Sequence, residues 1–310
     1  MLFQSEPSAS ISFSPAHSID GDFSRGLLLT ADHARRDVPP EYGTLGLRTS
    51  EFDRHIAYDI GVEALTRELA ARLDAPAVMG GFSRLLIDPN RGEDDPTLIM
   101  QLSDGAVISC NYPMSAEERE ERLARFYRPY HNAIAAASAR VAAESGKAPF
   151  IVSIHSFTPH WKGTARPWHI GLLWDRDDRA VKPLLSMLRE NPDLVVGDNE
   201  PYDGALRNDA MYRHATAQGF AHVLIEVRQD LIAEPSGASE WAKRLAPLLA
   251  RVNTLDGIHE IRHFGSRTDF AGCAPTLPAI HRASPAKLSL KRKRHLILTA
   301  TRGKNSPDIR

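Results

Sequence analysis

Two apolar runs in the chain end on a histidine: LLLTADH closes at His33, and FIVSIH closes at His155. Imidazoles carried to the ends of neighbouring strands can bind one metal ion, and a carboxylate beside them completes a three-ligand site with room for water. Glu51 is one candidate for that carboxylate, and Asp32, Asp37 and Asp53 are alternatives. A third apolar run, HVLIEV, contains Glu226. A carboxylate inside such a strand needs a cation, a metal or several hydrogen bonds. Beside a metal it can take a proton from water and pass it to a leaving amine. Arg228, two residues on, shares its side of an extended strand and can orient Glu226 or bind substrate. Taken singly, a histidine is more often structural than ligating, so the weight falls on the combination.

The segment FSRLLIDPNR supplies the opposite pole of a site. Arg91 can grip a planar carboxylate through two parallel bonds, and Asn90 can both donate to and accept from an amide or carboxylate. Arg84 and Asp88 support this patch. Asp198 and Asn199, in VGDNEPYDG, form a loop wall near substrate or stabilise the turn themselves. His55 and Asp59 stand four apart and would share one helical face, ordering the cleft or bonding at the helix surface.

The elements that position these residues alternate between strand and helix. RGLLLTADHA and PFIVSIHSF are strands, each emptying into a polar loop. Helical periodicity runs from Thr49 or Ser50 to about Leu73, and a strand is expected near residues 83–88, stopped by Pro89. Residues 115–145 read as helix, with Ser115 and Glu118 as a capping box, a break at Pro129 and an end at Gly146. WHIGLLWD, DLVVG and AHVLIEVRQDLI follow as strands; 178–190, LRNDAMYRHATAQG and SGASEWAKRLAPLLARVNTL follow as helices. Strands separated by helices predict an α/β fold.

Length and composition agree with that. The 310 residues are 42% apolar and 25% charged by the sets counted, enough to bury a large core. Residues 1–24 are expected to be irregular, 25–270 to form one α/β domain, and 271–310 to be a basic, flexible tail. Residues 281–310 hold nine Lys/Arg and one Asp, so the rest of the chain carries about −9 against a whole-chain charge of −1. The run LKRKRH has no aromatic platform or DNA-reading motif attached, so no specific nucleic acid partner is expected. Cys110 and Cys273 make no metal or paired-thiol spacing. The first residues lack a secretory pattern and GLLLTA is too short to span a bilayer, so a cytoplasmic protein without a membrane partner is expected. RGEDD is not a phosphate-cradling loop and GFSRLL is not a nucleophile elbow, which turns the reading towards metal hydrolysis.

In series, the segments LLLTADHARRDVP, EFDRHIAYDIG, FSRLLIDPNR, IVSIHSFTP, VVGDNEPYDG and VLIEVRQDLI resemble the N-formylglutamate amidohydrolase family over most of residues 25–250. The resemblance implies a three-layer αβα fold with a mostly parallel or mixed central sheet, similar to zinc exopeptidases. It implies one zinc ion per chain held by His33 and His155 with Glu51 as the carboxylate, and Glu226 as general base and acid. Asn90 and Arg91 match the carboxypeptidase-like pair that holds substrate. The partner implied is a small acidic N-acyl amino acid, N-formyl-L-glutamate above all, or a short peptide if the chain is instead a related metallocarboxypeptidase. A non-catalytic ligand-binding member of the family is the alternative outside enzymes. One departure stands out: three residues after His33, where zinc carboxypeptidases place a glutamate, this chain has Arg36. Asp37 one residue later, or Glu51 from the next helix, would then supply the carboxylate.

Overall fold

The computed structural model describes residues 13–269; the basic segment beyond lies outside the described residues. In chain order the elements are β1 (Ala16–Ile19), β2 (Leu27–Ala31), α1 (Val62–Leu73), β3 (Ala77–Gly80), β4 (Leu102–Ser103), β5 (Ala106–Val107), α2 (Ala116–Arg122) and α3 (Arg128–Ser145). They continue with β6 (Phe150–Phe157), β7 (His160–Trp161), β8 (Thr164–Ala165), β9 (Ile170–Leu173), α4 (Val181–Arg189), β10 (Val196–Asp198), α5 (Ala210–His214), β11 (His222–Arg228) and α6 (Pro235–Val252).

Seven strands form one mixed sheet in the order β1-β3-β2-β6-β11-β9-β10. The central four, β3, β2, β6 and β11, run parallel, while β1 and the β9–β10 pair run against them. The parallel strands are buried on both faces, which is why they read as unbroken apolar runs. Their alternate residues sort onto two cores. Leu27, Leu29, Val152, Ile154, Val223 and Ile225 pack with α1, α4 and α6. On the other face Leu28 packs with Tyr130, Ile134 and Val141 of α3, and Ile151 and Leu224 pack with Met211 of α5. The mixed sheet flanked by helices is the α/β architecture expected.

The helices follow their apolar spacing. On α1 the buried positions are Val62, Leu65, Thr66, Leu69, Ala70 and Leu73, one stripe along the helix. Truncating a fully buried leucine such as Leu65 costs about 2–5 kcal/mol. Ser115 caps α2 by accepting from the Glu118 amide at 3.1 Å, Pro129 sits in the first turn of α3 after a π-helical turn, and Gly146 ends α3 at φ 67°.

Three expectations change. Residues 16–19, expected to be irregular, form an edge strand paired antiparallel with β3; four residues are too short a run to announce themselves. The helix expected from Thr49 is a 3₁₀ turn over Thr49–Asp53, and α1 begins only at Val62. Gly61, at φ 84°, makes the break: a Cβ there would lie 2.2 Å from the Ile232 carbonyl oxygen. The strand expected near 83–88 lies instead at Ala77–Gly80, and residues 84–86 are a turn in which the Leu86 amide donates to the Ser83 carbonyl at 3.0 Å. Chain crowding sets that limit, since a Cβ on Gly80 would meet the Asp32 carbonyl oxygen at 2.2 Å and one on Gly81 the Ser14 carbonyl oxygen at 2.1 Å. Leu85, Leu86 and Ile87 are buried all the same, so their apolar character reports burial in a turn.

Candidate metal centre

The parallel strands β2, β6 and β11 end at one edge of the sheet, where ligand crevices of open α/β sheets form. His33 follows β2 directly, His155 lies near the end of β6, and Glu226 on β11 is the registered neighbour of His155. Period-2 alternation explains the selection. His155 continues the Ile151–Ser153 side of β6 and Glu226 the Leu224 side of β11, so both face away from the α1–α6 core.

Asp59 completes the group. Its backbone amide donates to the His33 carbonyl at 2.9 Å and its own carbonyl accepts from Val62 at 3.3 Å, pinning the turn between β2 and α1. Asp59 Oδ2 then lies 3.3 Å from His33 Nδ1 and 2.8 Å from His155 Nδ1. One donor atom from each of His33, Asp59 and His155 falls within 4.8 Å of the other two. Each ring is held on its far side by a further carboxylate: His33 Nε2 by Asp88 Oδ1 at 2.7 Å, and His155 Nε2 by Asp32 Oδ2 at 3.1 Å.

Charge balance explains how such a cluster stays buried. Burial opposes the ionised forms, yet the neighbouring imidazoles hold Asp59 and Asp32 below the usual carboxylate range, and Arg84 with His33 does the same for Asp88. Burial likewise opposes charge on the histidines, but Asp88 and Asp59 raise His33, and Asp32 and Asp59 raise His155 well above an ordinary imidazole. Three carboxylates, Asp32, Asp59 and Asp88, thus face Arg84 and two imidazoles whose protonation those carboxylates favour. Where both rings are protonated, a divalent ion taking the place of the two Nδ1 protons leaves the charge of the cluster unchanged. Two imidazole nitrogens and one carboxylate are also the donor set of open catalytic zinc sites. The residues therefore fit a metal ion.

Beside the cluster is a cavity of about 330 Å³; the buried His33, Asp59, His155 and Glu226 form its floor, and Asn90, Arg91, Tyr202 and Asp209 also line it. That volume is at the small end of ligand sites. Glu226 is 6% exposed, its Oε2 has no hydrogen-bond partner, and burial pushes its pKa up. Arg91 donates to Thr97 Oγ1 and to the Asn90 carbonyl, and no carboxylate pairs with it among the described residues. Asn90 is buried and accepts from the Ala210 amide at 3.3 Å.

Other expected residues stand elsewhere. Glu51 is not beside the histidines: its two oxygens are taken by Arg48 at 2.7 Å and Arg54 at 2.5 Å. Asp37 and Asp53 face Arg35 and Arg36, and Asp32 backs His155 from behind. Arg84 lines the cavity, but its guanidinium is engaged by Asp88 at 2.7 Å and Asp59 at 3.4 Å, which makes it a counter-ion of the floor. Arg228 pairs with Asp230 at 2.8 Å instead of reaching Glu226. Asp198 accepts from Trp174 Nε1 at 2.7 Å outside the cavity. Asn199 accepts from the Trp174 and Gly204 amides and so shapes the turn that carries Tyr202 and Asp203 to the cavity wall. His55 lines the cavity from the open turns before Asp59, not from a helix. Spacing along the chain places Asp59 near the site but not in the donor set, and it singles out neither Tyr130 nor Asp209. Gly61, two residues after Asp59 in an otherwise helical pattern, was the available signal of a break there.

Residues 25–233 match the family model described as N-formylglutamate amidohydrolase. The chain is 34% identical over 170 residues to the N-formylglutamate deformylase of Pseudomonas aeruginosa, a stretch that is 51% of this chain and 55% of that protein. It thus spans about half the length of the curated relative it matches. In structure it is similar to the gene product Atu2144 of Agrobacterium tumefaciens, with a TM-score of 0.71, 32% identity, and coverage of 77% of this chain and 94% of that one. It shares the fold of the N-formylglutamate amidohydrolase of Ralstonia eutropha JMP134 at a TM-score of 0.60 and 22% identity, over 77% of this chain and 97% of the other. Among the described residues no helix is long and apolar enough to cross a membrane.

Proposed function

The chain belongs to the N-formylglutamate amidohydrolase family, and from that premise we propose that it hydrolyses the amide of a small acidic N-formyl or N-acyl amino acid, N-formyl-L-glutamate first among them. His33, Asp59 and His155 hold one zinc ion per chain in this reading. The observation that carries it is the convergence of both Nδ1 atoms and the Asp59 carboxylate beneath a buried Glu226 with a free oxygen, all on one small cavity.

When bound, the ion supplies Lewis acidity towards the scissile carbonyl and towards water. The chain's own residues do the rest. Glu226 accepts a proton from the attacking water as the new carbon–oxygen bond forms. It then delivers that proton to the leaving nitrogen as the carbon–nitrogen bond breaks, giving a carboxylic acid, formate for a formyl substrate, and a free amino acid. Its raised pKa suits both tasks, because a carboxyl poised nearer neutrality gives up a proton as readily as it takes one. Arg91 grips the substrate carboxylate through the guanidinium edge that no acidic residue occupies, and Asn90 bonds beside it. Arg84 keeps the ligand carboxylate and Asp88 in place and does not touch substrate.

The test measures metal content of the purified chain together with product release from N-formylglutamate, N-acetylglutamate and acidic dipeptides. Stoichiometric zinc with formate release from the first substrate, lost on chelation and restored by zinc, is expected. Release of an amino acid from the dipeptides without formate from the first would make the chain a metallocarboxypeptidase. Turnover indifferent to chelation would remove the metal from the reaction.

A further inference from the structure

The two ring-backing carboxylates differ in what balances them. Asp88, behind His33, forms an ion pair with Arg84 at 2.7 Å. Asp32, behind His155, receives no cation on its outer oxygen; the Tyr130 hydroxyl donates to its Oδ1 at 2.6 Å. Tyr130 and Asp32 are both fully buried, and Tyr130 stands on α3, packed edge-on to Phe82 at 6.4 Å between ring centres. An unbroken line of bonds therefore runs from α3 through the phenol and Asp32 to His155 Nε2, and from His155 Nδ1 to Asp59.

We propose that the Tyr130–Asp32 pair is a positioning device that makes His155 a different ligand from His33. Resting on the metal reading above, the inference assigns a role to a residue with no contact to the cavity. A phenol neutralises little charge, so Asp32 stays a full carboxylate towards the His155 N–H and strengthens electron donation from the opposite nitrogen. Asp88, shared with a guanidinium, pulls less on His33. The phenol also fixes the plane of Asp32. Without it Oδ1 is a buried, unpaired acceptor, and the carboxylate loses the constraint that aims Oδ2 at the ring. Ser153 Oγ, 3.1 Å from His155 Nε2, would then compete for the same N–H.

The experiment loads the full chain with cobalt(II) and records proton spectra in water, where ring N–H protons of cobalt-bound histidines appear as exchangeable, strongly shifted signals. Two such signals are expected from the wild type. Tyr130→Phe should move one by several parts per million, leave the other in place, and weaken cobalt binding roughly tenfold in chelator competition. Ile134→Val, a core change one turn further along α3, should move neither signal. Both signals unmoved in Tyr130→Phe, or both moved equally, would overturn the inference while leaving the metal reading intact. A wild type that takes up no cobalt would overturn both. If Tyr130→Phe does not fold, the near-isosteric Asp32→Asn takes its place, with the same single signal expected to move and an unmoved pair again overturning the inference.

Discussion

The floor of the cavity and the polar residues just outside it are built on different terms. At the floor, Asp32, Asp59, Asp88, His33, His155 and Arg84 are held almost entirely by one another, and each group's charge state depends on its neighbours. Outside the cavity, Arg228 pairs with Asp230 two residues away, and Asn199 serves the turn it belongs to. Buried turns gathered around His155 of β6 carry the floor, whereas Arg228 and Asp198 stand at the ends of β11 and β10 and Asn199 in the turn after β10. Changes at the floor should therefore propagate through every member, and changes outside the cavity should stay local.

The sharpest way to break this contrast is at Glu226, the one floor carboxylate with an unpaired oxygen. Glu226→Gln keeps the volume and removes the proton carrier. Turnover should fall by about 10²–10⁴-fold with metal content unchanged, as measured by kcat and by metal analysis. Arg91→Ala comes next. Leaving a substrate carboxylate without its cation costs about 2–3 kcal/mol, so kcat/KM should fall roughly 30- to 150-fold, mainly through KM. A fall confined to kcat would move Arg91 from binding to chemistry.

Asp209 tests the boundary between the two regions. Burial pushes its carboxyl up to about 7, even though it caps α5 by accepting from the Tyr212 amide at 2.7 Å. For a raised carboxyl the sign is fixed. Its contribution to stability is complete at acid pH, below the ordinary carboxylate range, and is lost as pH rises through about 7. Asp209→Asn keeps an acceptor for the cap and removes the titration. Melting temperatures of the metal-free proteins should fall more for the wild type than for the variant between about pH 4 and about pH 8. Parallel curves would show that Asp209 is ionised throughout. The smallest effects belong to residues outside the cavity: Arg228→Ala and Asp198→Ala should leave kcat/KM within about twofold, as expected for part-exposed pairs. A tenfold loss in either would return that residue to the substrate-binding set.

The same contrast decides what could be read from the sequence. His33, His155 and Glu226 were legible because a polar residue at the end of, or within, a buried strand is an anomaly with few explanations. Asp59 was obscured by the helical spacing around it, since apolar residues packed in a turn imitate a helix until the Gly61 backbone is seen. Glu51 looked equally eligible by distance along the chain. Only folding shows Arg48 and Arg54 closing around it. β3 was misplaced because LLI in residues 85–87 is as apolar as a strand, and the glycine pair before it marks a steric limit that depends on residues far away in sequence. The seven-strand order, with β9 and β10 reversed against β11, rests on pairings that local pattern does not encode.

The facing of both Nδ1 atoms onto one Asp59 oxygen has a thermodynamic corollary. Occupation by a dication expels a pair of hydrogen ions, so acidity acts as a stoichiometric competitor. Wherever both rings are charged in the empty protein, each pH step downward should weaken capture roughly a hundredfold, the square of the change in proton activity.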